Sequence, residues 1–329
     1  MAARKAIWLN CDPGHDDAVA ILLAGQNSTV ELLGISTEAG NQTVAKTTQN
    51  ALRMLYACGL SHIPVAQGRE GPIMRTSMIC PEIHGESGLD GPTGPLIPAV
   101  SRPLLADPAP VAMFTAISKY YAQWKERVVI VSTGALTSVA LALLTYSQLK
   151  DMAEVVLMGG AMSAGNTSPV AEFNIQIDPE AASIVFNSGI KITMVPLEVT
   201  HTALVSPAVL NFILSERRTP FTNMMRDMMT FFATTYQQVF GFASPPLHDP
   251  LAVAYVIAPE MFTARLLRVD VECSSALCAG QTVCDVWGKS ALPQNVTVCT
   301  KVDLPAFWNL LKEAIEKASR VSPLLDLDR

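Results

Sequence analysis

Three carboxylates crowd into the run Asp12-Pro13-Gly14-His15-Asp16-Asp17, directly after the apolar stretch Ala6-Ile7-Trp8-Leu9. Such crowding costs free energy unless something positive or hydrogen-donating sits among the charges. A hard divalent cation answers that demand, and so does a polyol whose hydroxyls donate to the oxygens. More chemistry-bearing residues recur along the chain: Gly40-Asn41-Gln42-Thr43, Ile83-His84-Gly85-Glu86, Asn166 through Asn174 with Glu172 and Phe173, and His248-Asp249-Pro250. Asp17 and Asp249 also have a plainer reading as helix caps, because a helix signal follows each.

These residues need a frame that brings them together. Short apolar runs alternate with helical patterns over two thirds of the chain. Strands are predicted at Ala6–Leu9, Val30–Ser36, Ile63–Ala66, Val128–Val131, Val155–Met158 and Ile192–Val195. Helices are predicted from Asp17 to Leu23, about Thr43 to Ala57, Val111 to Trp124 and Leu136 to Leu144. This rhythm argues for an α/β fold, an open, mostly parallel β-sheet flanked by helices with right-handed crossovers. In such sheets ligands bind outside the carboxyl ends of the strands. Asp12, Asn41, Thr133 and Met158 each follow a strand, so they converge on one rim. After about residue 205 the pattern turns helical, with a Met-rich helix from Phe221 to Val239 packing into the core. β-like runs at Leu267–Cys273, Thr282–Trp287 and Asn295–Val302 then precede a helix from Leu304 to Ser319. The Pro- and Gly-rich stretch 70–105 lacks periodicity and reads as a functional loop.

Composition narrows the function. The formal net charge is −6 and no Lys/Arg run occurs, which argues against a nucleic-acid surface. Glu216-Arg217-Arg218 reads as a solvated helix end. The seven cysteines are odd in number and scattered, so neither a disulfide framework nor a zinc site is expected. No apolar stretch approaches the ~20 residues of a membrane helix. The amino terminus enters the first strand without a signal-like segment, so a cytoplasmic location is expected.

Taken in order, DPGHDDA at 12–18, VVLMGG at 155–160 and AEFNIQIDPEAA at 171–182 resemble the nucleoside hydrolase family, in particular its inosine-uridine-preferring members. The resemblance spans about residues 6–315 and implies one Rossmann-like domain over residues 1–329, with extra C-terminal strands and helices. It implies cleavage of the N-glycosidic bond of ribonucleosides by water, giving ribose and free base. Purine nucleosides such as inosine and guanosine are expected, with uridine a further substrate. It implies a bound Ca²⁺ held by Asp12, Asp17, Asp249 and the backbone carbonyl of Thr133. That set suits calcium, which takes six to eight oxygen ligands. Asp12 is then the base that takes a proton from the activated water. Asp16, Asn41, Asn166, Glu172 and Asn174 hold ribose hydroxyls, with Met158 under the ring. This cage suits an oxocarbenium-like transition state. His248 is the general acid for the departing base, and Ile83, His84, Phe173 and Tyr236 contact that base. His15, His62 and His201 are left structural. Relatives imply a homodimer or homotetramer and a role in nucleoside salvage.

Departures accompany the resemblance. Asn10 stands where relatives have Asp, Ser138 replaces Asn, and Pro196 with Glu198 replaces a Gly-x-Asp pattern. Two other readings of the acidic rim are a Mg²⁺-dependent phosphohydrolase and a non-catalytic nucleoside- or ribose-binding protein. The first lacks a Gly-rich phosphate loop or a basic clamp.

Overall fold

Alternation along the first strand builds the two layers of the molecule. β1 (Lys5–Cys11) sends Ile7, Leu9 and Cys11 into one apolar core and Ala6 and Trp8 into the other. A strand buried on both faces belongs in the middle of a parallel sheet, and β1 lies there. The computed structural model describes residues 4–91, 94–95, 97, 99–214 and 218–326.

The remaining strands are β2 (Val30–Thr37), β3 (Val65–Gln67), β4 (Asp90–Gly91), β5 (Gly94–Pro95), β6 (Val128–Ser132), β7 (Ala153–Met158), β8 (Lys191–Val195), β9 (Phe262–Leu267), β10 (Val269–Val271), β11 (Thr282–Cys284) and β12 (Val296–Val302). Eight of them form the central sheet in the order β3-β2-β1-β6-β7-β8-β12-β9. All of its neighbours pair in parallel except β12 with the edge strand β9. The helices His15–Gln26, Val44–Ala57, Pro250–Ile257 and Leu304–Val321 bury their apolar faces in the core that receives Leu9. Ala109–Trp124, Thr137–Thr145 and Pro179–Asn187 cover the opposite face. Chain order reverses at β1, with β2 on one side and β6 on the other, so a crevice opens at their carboxyl ends.

The predicted parallel core is present, with shifted ends. β1 continues to Cys11, and its helix begins at His15 rather than Asp17. The run read as Leu267–Cys273 is two strands. Phe262–Leu267 is an edge strand with four consecutive exposed residues, so it lacked the alternation that marks a strand. Val269–Val271 instead pairs antiparallel with β11, in a ribbon separate from the main sheet. The 70–105 stretch holds a helical turn at Pro81–His84 and the β4–β5 ribbon. Glu216 and Arg217 lie outside the described residues. Among the described residues, no helix is long and apolar enough to cross a membrane.

Candidate active site

Pro13 and Gly14 turn the chain out of β1, and the helix that follows begins one residue later. Asp17 closes that turn. Its Oδ2 accepts from the Gly14 amide at 3.1 Å and from Asn41 Nδ2 at 2.9 Å, while its Oδ1 accepts from Thr133 Oγ1 at 2.8 Å. One carboxylate thus joins the ends of β1, β2 and β6. Asp12 is wholly buried, with Oδ2 accepting from the Asn41 amide at 2.7 Å. Its Oδ1 has no hydrogen-bond partner among the described residues. Gly40 and Gly134 leave the space: a Cβ there would stand 2.1 Å from Asp12 Oδ2 and 2.6 Å from Oδ1.

Asp249 arrives from the far end of the sequence. Oxygens of Asp16, Asp17 and Asp249 lie within 4.8 Å of one another. Asp249 makes no capping bond to the helix it precedes, so the plainer reading fails for it. For Asp17 that reading holds in part, since it also caps its own helix. Burial, then repulsion from Asp17, pushes Asp16 up to about 7. The same two causes hold Asp12 well above the usual carboxylate range, and burial followed by Asp16 does so for Asp249. Without a counter-ion this cluster favours protons over charge.

The donor set fits a hard divalent cation: buried carboxylate oxygens, one unpartnered, beside a backbone carbonyl. The adjacent His248 does not compete, because both ring nitrogens are engaged. Nε2 meets Tyr236 Oη at 2.9 Å, and Nδ1 meets Thr200 Oγ1 at 2.7 Å. The expected set was Asp12, Asp17, Asp249 and Thr133. The structure adds Asp16, expected to face ribose, to the closest carboxylate trio, and leaves Asp12 outside it.

Across the rim, Glu172 caps the helix Phe173–Ile177, accepting from the amides of Asn174 and Ile175 and from Gly160. Burial outweighs those three donors and raises Glu172 to about 7. Asn174 Nδ2 donates to the Thr133 carbonyl at 2.8 Å and to that of Met158 at 3.2 Å. Asn166 Oδ1 accepts from the Phe173 amide. An open-mouthed cavity is lined by Asp16, Asn41, Thr133, Met158, Asn166, Glu172, Asn174 and Asp249, and also by Ile83, His84, Phe173, Tyr236 and His248. Of the expected catalytic, metal and substrate residues, Asp12 and Asp17 are the two that are not part of this lining.

Sequence reasoning missed Cys80, Thr167 and Phe240, which also line the cavity. Phe240 had a signal, because it sits four residues after Tyr236 on one helix and so shares its face. Cys80 precedes the turn Pro81–His84 that carries Ile83 and His84. His62 is exposed, and His201 packs its ring edge against His248 at 5.5 Å between centroids. His15 is buried, and burial lowers it to about 4.

The departures are structural. Asn10 donates to Ser132 Oγ and the Ala135 carbonyl and accepts from Ser36 Oγ, a neutral tie between β1, β2 and β6. The Ser138 amide donates to Glu38 Oε1 at 2.9 Å. Glu198 accepts from the amides of Met162 and Ser163 and fastens the loop after β7. Pro196 precedes the short helix Leu197–Thr200.

Comparison with known proteins agrees with this geometry. The family model described as inosine-uridine preferring nucleoside hydrolase matches residues 7–309. A probable ribonucleoside hydrolase of Dictyostelium discoideum is 48% identical over 319 residues, 94% of each chain. A pyrimidine-specific ribonucleoside hydrolase of Shewanella woodyi is 42% identical, over 96% of this chain and 99% of its own. Among solved structures, the purine-preferring ribonucleoside hydrolase from Gardnerella vaginalis superposes with a TM-score of 0.87. It is 29% identical, covering 97% of this chain and 100% of its own. The chain belongs to the inosine-uridine preferring nucleoside hydrolase family, and it is an enzyme that hydrolyses ribonucleosides to free base and ribose.

Proposed function

We propose that Asp12, Asp17 and Asp249, with the Thr133 carbonyl, hold Ca²⁺, and that Asp12 is the base of the hydrolysis. The carrying observation is the unpartnered, buried Oδ1 of Asp12 beside three carboxylates gathered from both ends of the chain. When bound, the cation supplies Lewis-acid activation of water and an anchor for sugar hydroxyls. Asp12 keeps one oxygen fixed by Asn41 and presents the other to a proton. Burial, which raises its affinity for that proton, suits it to the task.

Asp16, Asn41, Asn166, Glu172 and Asn174 hold the ribose hydroxyls above Met158. Anionic and amide oxygens favour the positive charge that ribose gains as the base departs. On the base side, Ile83, His84, Phe173 and Tyr236 enclose the leaving group. His248 is held near 3 by burial and is neutral at physiological pH. A proton for the base therefore comes from the neutral His248–Tyr236 hydrogen-bonded pair, not from an imidazolium.

The relatives divide on the base. The 42% identical relative is named pyrimidine-specific, and the 29% identical structure purine-preferring. The sequence expectation of purines first agrees with the structural neighbour. The greater identity of the pyrimidine-specific relative supports uridine and cytidine ahead of inosine and guanosine, and we adopt that order. A panel of uridine, cytidine, inosine, guanosine and adenosine, assayed for free sugar, tests it. Faster inosine than uridine turnover would reverse the order. Self-association into a homodimer or homotetramer belongs to the same reading; sedimentation showing only single chains at working concentration would count against it.

A further inference from the structure

Phe232, Thr235 and Tyr236 stand three and four residues apart on the helix Pro220–Phe240, so they share one face of it. On that face rests the single helical turn Pro81–His84, which carries Ile83 and His84 to the cavity. Ile83 packs with Phe232 and Tyr236 in a small apolar cluster, apart from the two cores beside the sheet. The His84 ring stacks on Phe232 at 5.6 Å between centroids. All five of these side chains are buried.

One polar bond fixes this packing in register. A helix of four residues ends before the Ile83 carbonyl can meet an amide four positions on. Thr235 Oγ1 answers that carbonyl at 2.8 Å, across 152 positions of sequence. The same hydroxyl also stands 3.1 Å from the Phe232 carbonyl in its own helix. It has a single proton to share between them. The Phe232 carbonyl lies inside a long α-helix and has a backbone amide to accept from as well. The Ile83 carbonyl is therefore the one left bare when the hydroxyl is removed. Among the described residues, this is the one side-chain hydrogen bond from that helix to the turn. The chain just beyond the turn is tied elsewhere: Gln42 Nε2 donates to the Gly85 and Glu86 carbonyls, and Asn50 Nδ2 to that of Ser87. Losing the Thr235 bond thus loosens the turn on its helix without freeing the whole segment.

We propose that Thr235 is a positioning residue: it seats the turn Pro81–His84 on the helix Pro220–Phe240 and so sets where Ile83 and His84 meet the nucleobase. The seat includes Tyr236, whose hydroxyl meets His248 Nε2 at 2.9 Å, which places it on the leaving-group side of the cavity. The ribose side is held by separate bonds of Asn41, Glu172 and Asn174. The effect on turnover rests on the reading that Ile83 and His84 enclose the base; the seat itself does not.

Thr235→Val keeps the shape and removes the donor, whereas Thr235→Ser restores it. The amides of Ile83, His84 and Gly85 are hydrogen-bonded within the turn, so their exchange with deuterium reports its opening. In the substrate-free protein, exchange over residues 80–85 is expected to quicken about fivefold in Thr235→Val, the size of one neutral hydrogen bond, and to return towards the natural rate in Thr235→Ser. KM for uridine is expected to rise about as much in Thr235→Val with kcat little changed, while affinity for free ribose, which has no base, stays constant. Unchanged exchange in a folded Thr235→Val protein overturns the proposal, and so does a KM rise that Thr235→Ser shares in full. An equal loss of ribose affinity overturns the placing of the seat on the leaving-group side. Quickened exchange with an unaltered KM leaves the seat standing and overturns the placing of Ile83 and His84 against the base.

Discussion

Asp12, on the turn after β1, and Asp17, in the first turn of the helix that follows, show how two identical side chains can take different roles. Asp17 spends both oxygens on Gly14, Asn41 and Thr133, and so holds the rim together. Asp12 leaves one oxygen unpaired. Asp12→Asn keeps the shape and removes the proton acceptor, so turnover is expected to fall by about a thousandfold or more with the fold intact. Near-normal kcat in a folded variant would exclude Asp12 as the base. Glu38 belongs to the same scale and was not singled out from sequence, because a lone Glu after a strand carries no pattern. Burial pushes it up from 4.5 to about 7 despite its hydrogen bonds to Ser138. A group raised in the folded state contributes stability below its unfolded value, and loses it as pH climbs through the folded one. The melting temperature of Glu38→Gln relative to the natural protein should therefore rise between about pH 5 and about pH 7.5. A difference that stays flat over this range would show that Glu38 is not held neutral.

At the scale of elements, several site residues owe their place to a strand end or a cap, while Tyr236 comes from within the helix Pro220–Phe240 and Ile83 and His84 from the turn Pro81–His84. Those placements were legible where the residues end or follow a buried apolar strand, as Met158 ends one and Asp12, Asn41 and Thr133 follow others. They were also legible where a family motif covered them, as with Glu172 and Asn174. The helices Phe173–Ile177 and Pro179–Asn187 escaped notice because they are short and share Asp178 at their junction. Asp178 is buried there. It accepts from the Ala181 amide, from Thr137 Oγ1 and from the Ile73 amide, tying two helices to the 68–80 segment. Asp178→Ala strands three donors, and a loss of about 3 kcal/mol is expected in denaturant unfolding. A change under about 0.5 kcal/mol would mean that water replaces the carboxylate at no cost. The edge strand β9 was illegible for the opposite reason. Its exposed face carries no alternation, and only pairing with β12 makes it a strand.

For the whole molecule, the chain reversal at β1 matters most. It opens the crevice between β1 and β6 and lets Asp249, more than two hundred residues beyond Asp17, close the acidic cluster. No local pattern announces that meeting; only the order of motifs and the strand-end rule made it readable. The base side stayed less readable, since Cys80 and Phe240 reach the cavity from a loop and a helix face without strand geometry. Family membership removes the ground for the phosphohydrolase and non-catalytic readings. The most direct measurement is the release of ribose and uracil from uridine in phosphate-free buffer, by enzyme stripped with a strong chelator and then resupplied with Ca²⁺. Equal amounts of both products, lost on stripping and restored by the ion, are the predicted result. Undiminished release from the stripped enzyme would contradict the account.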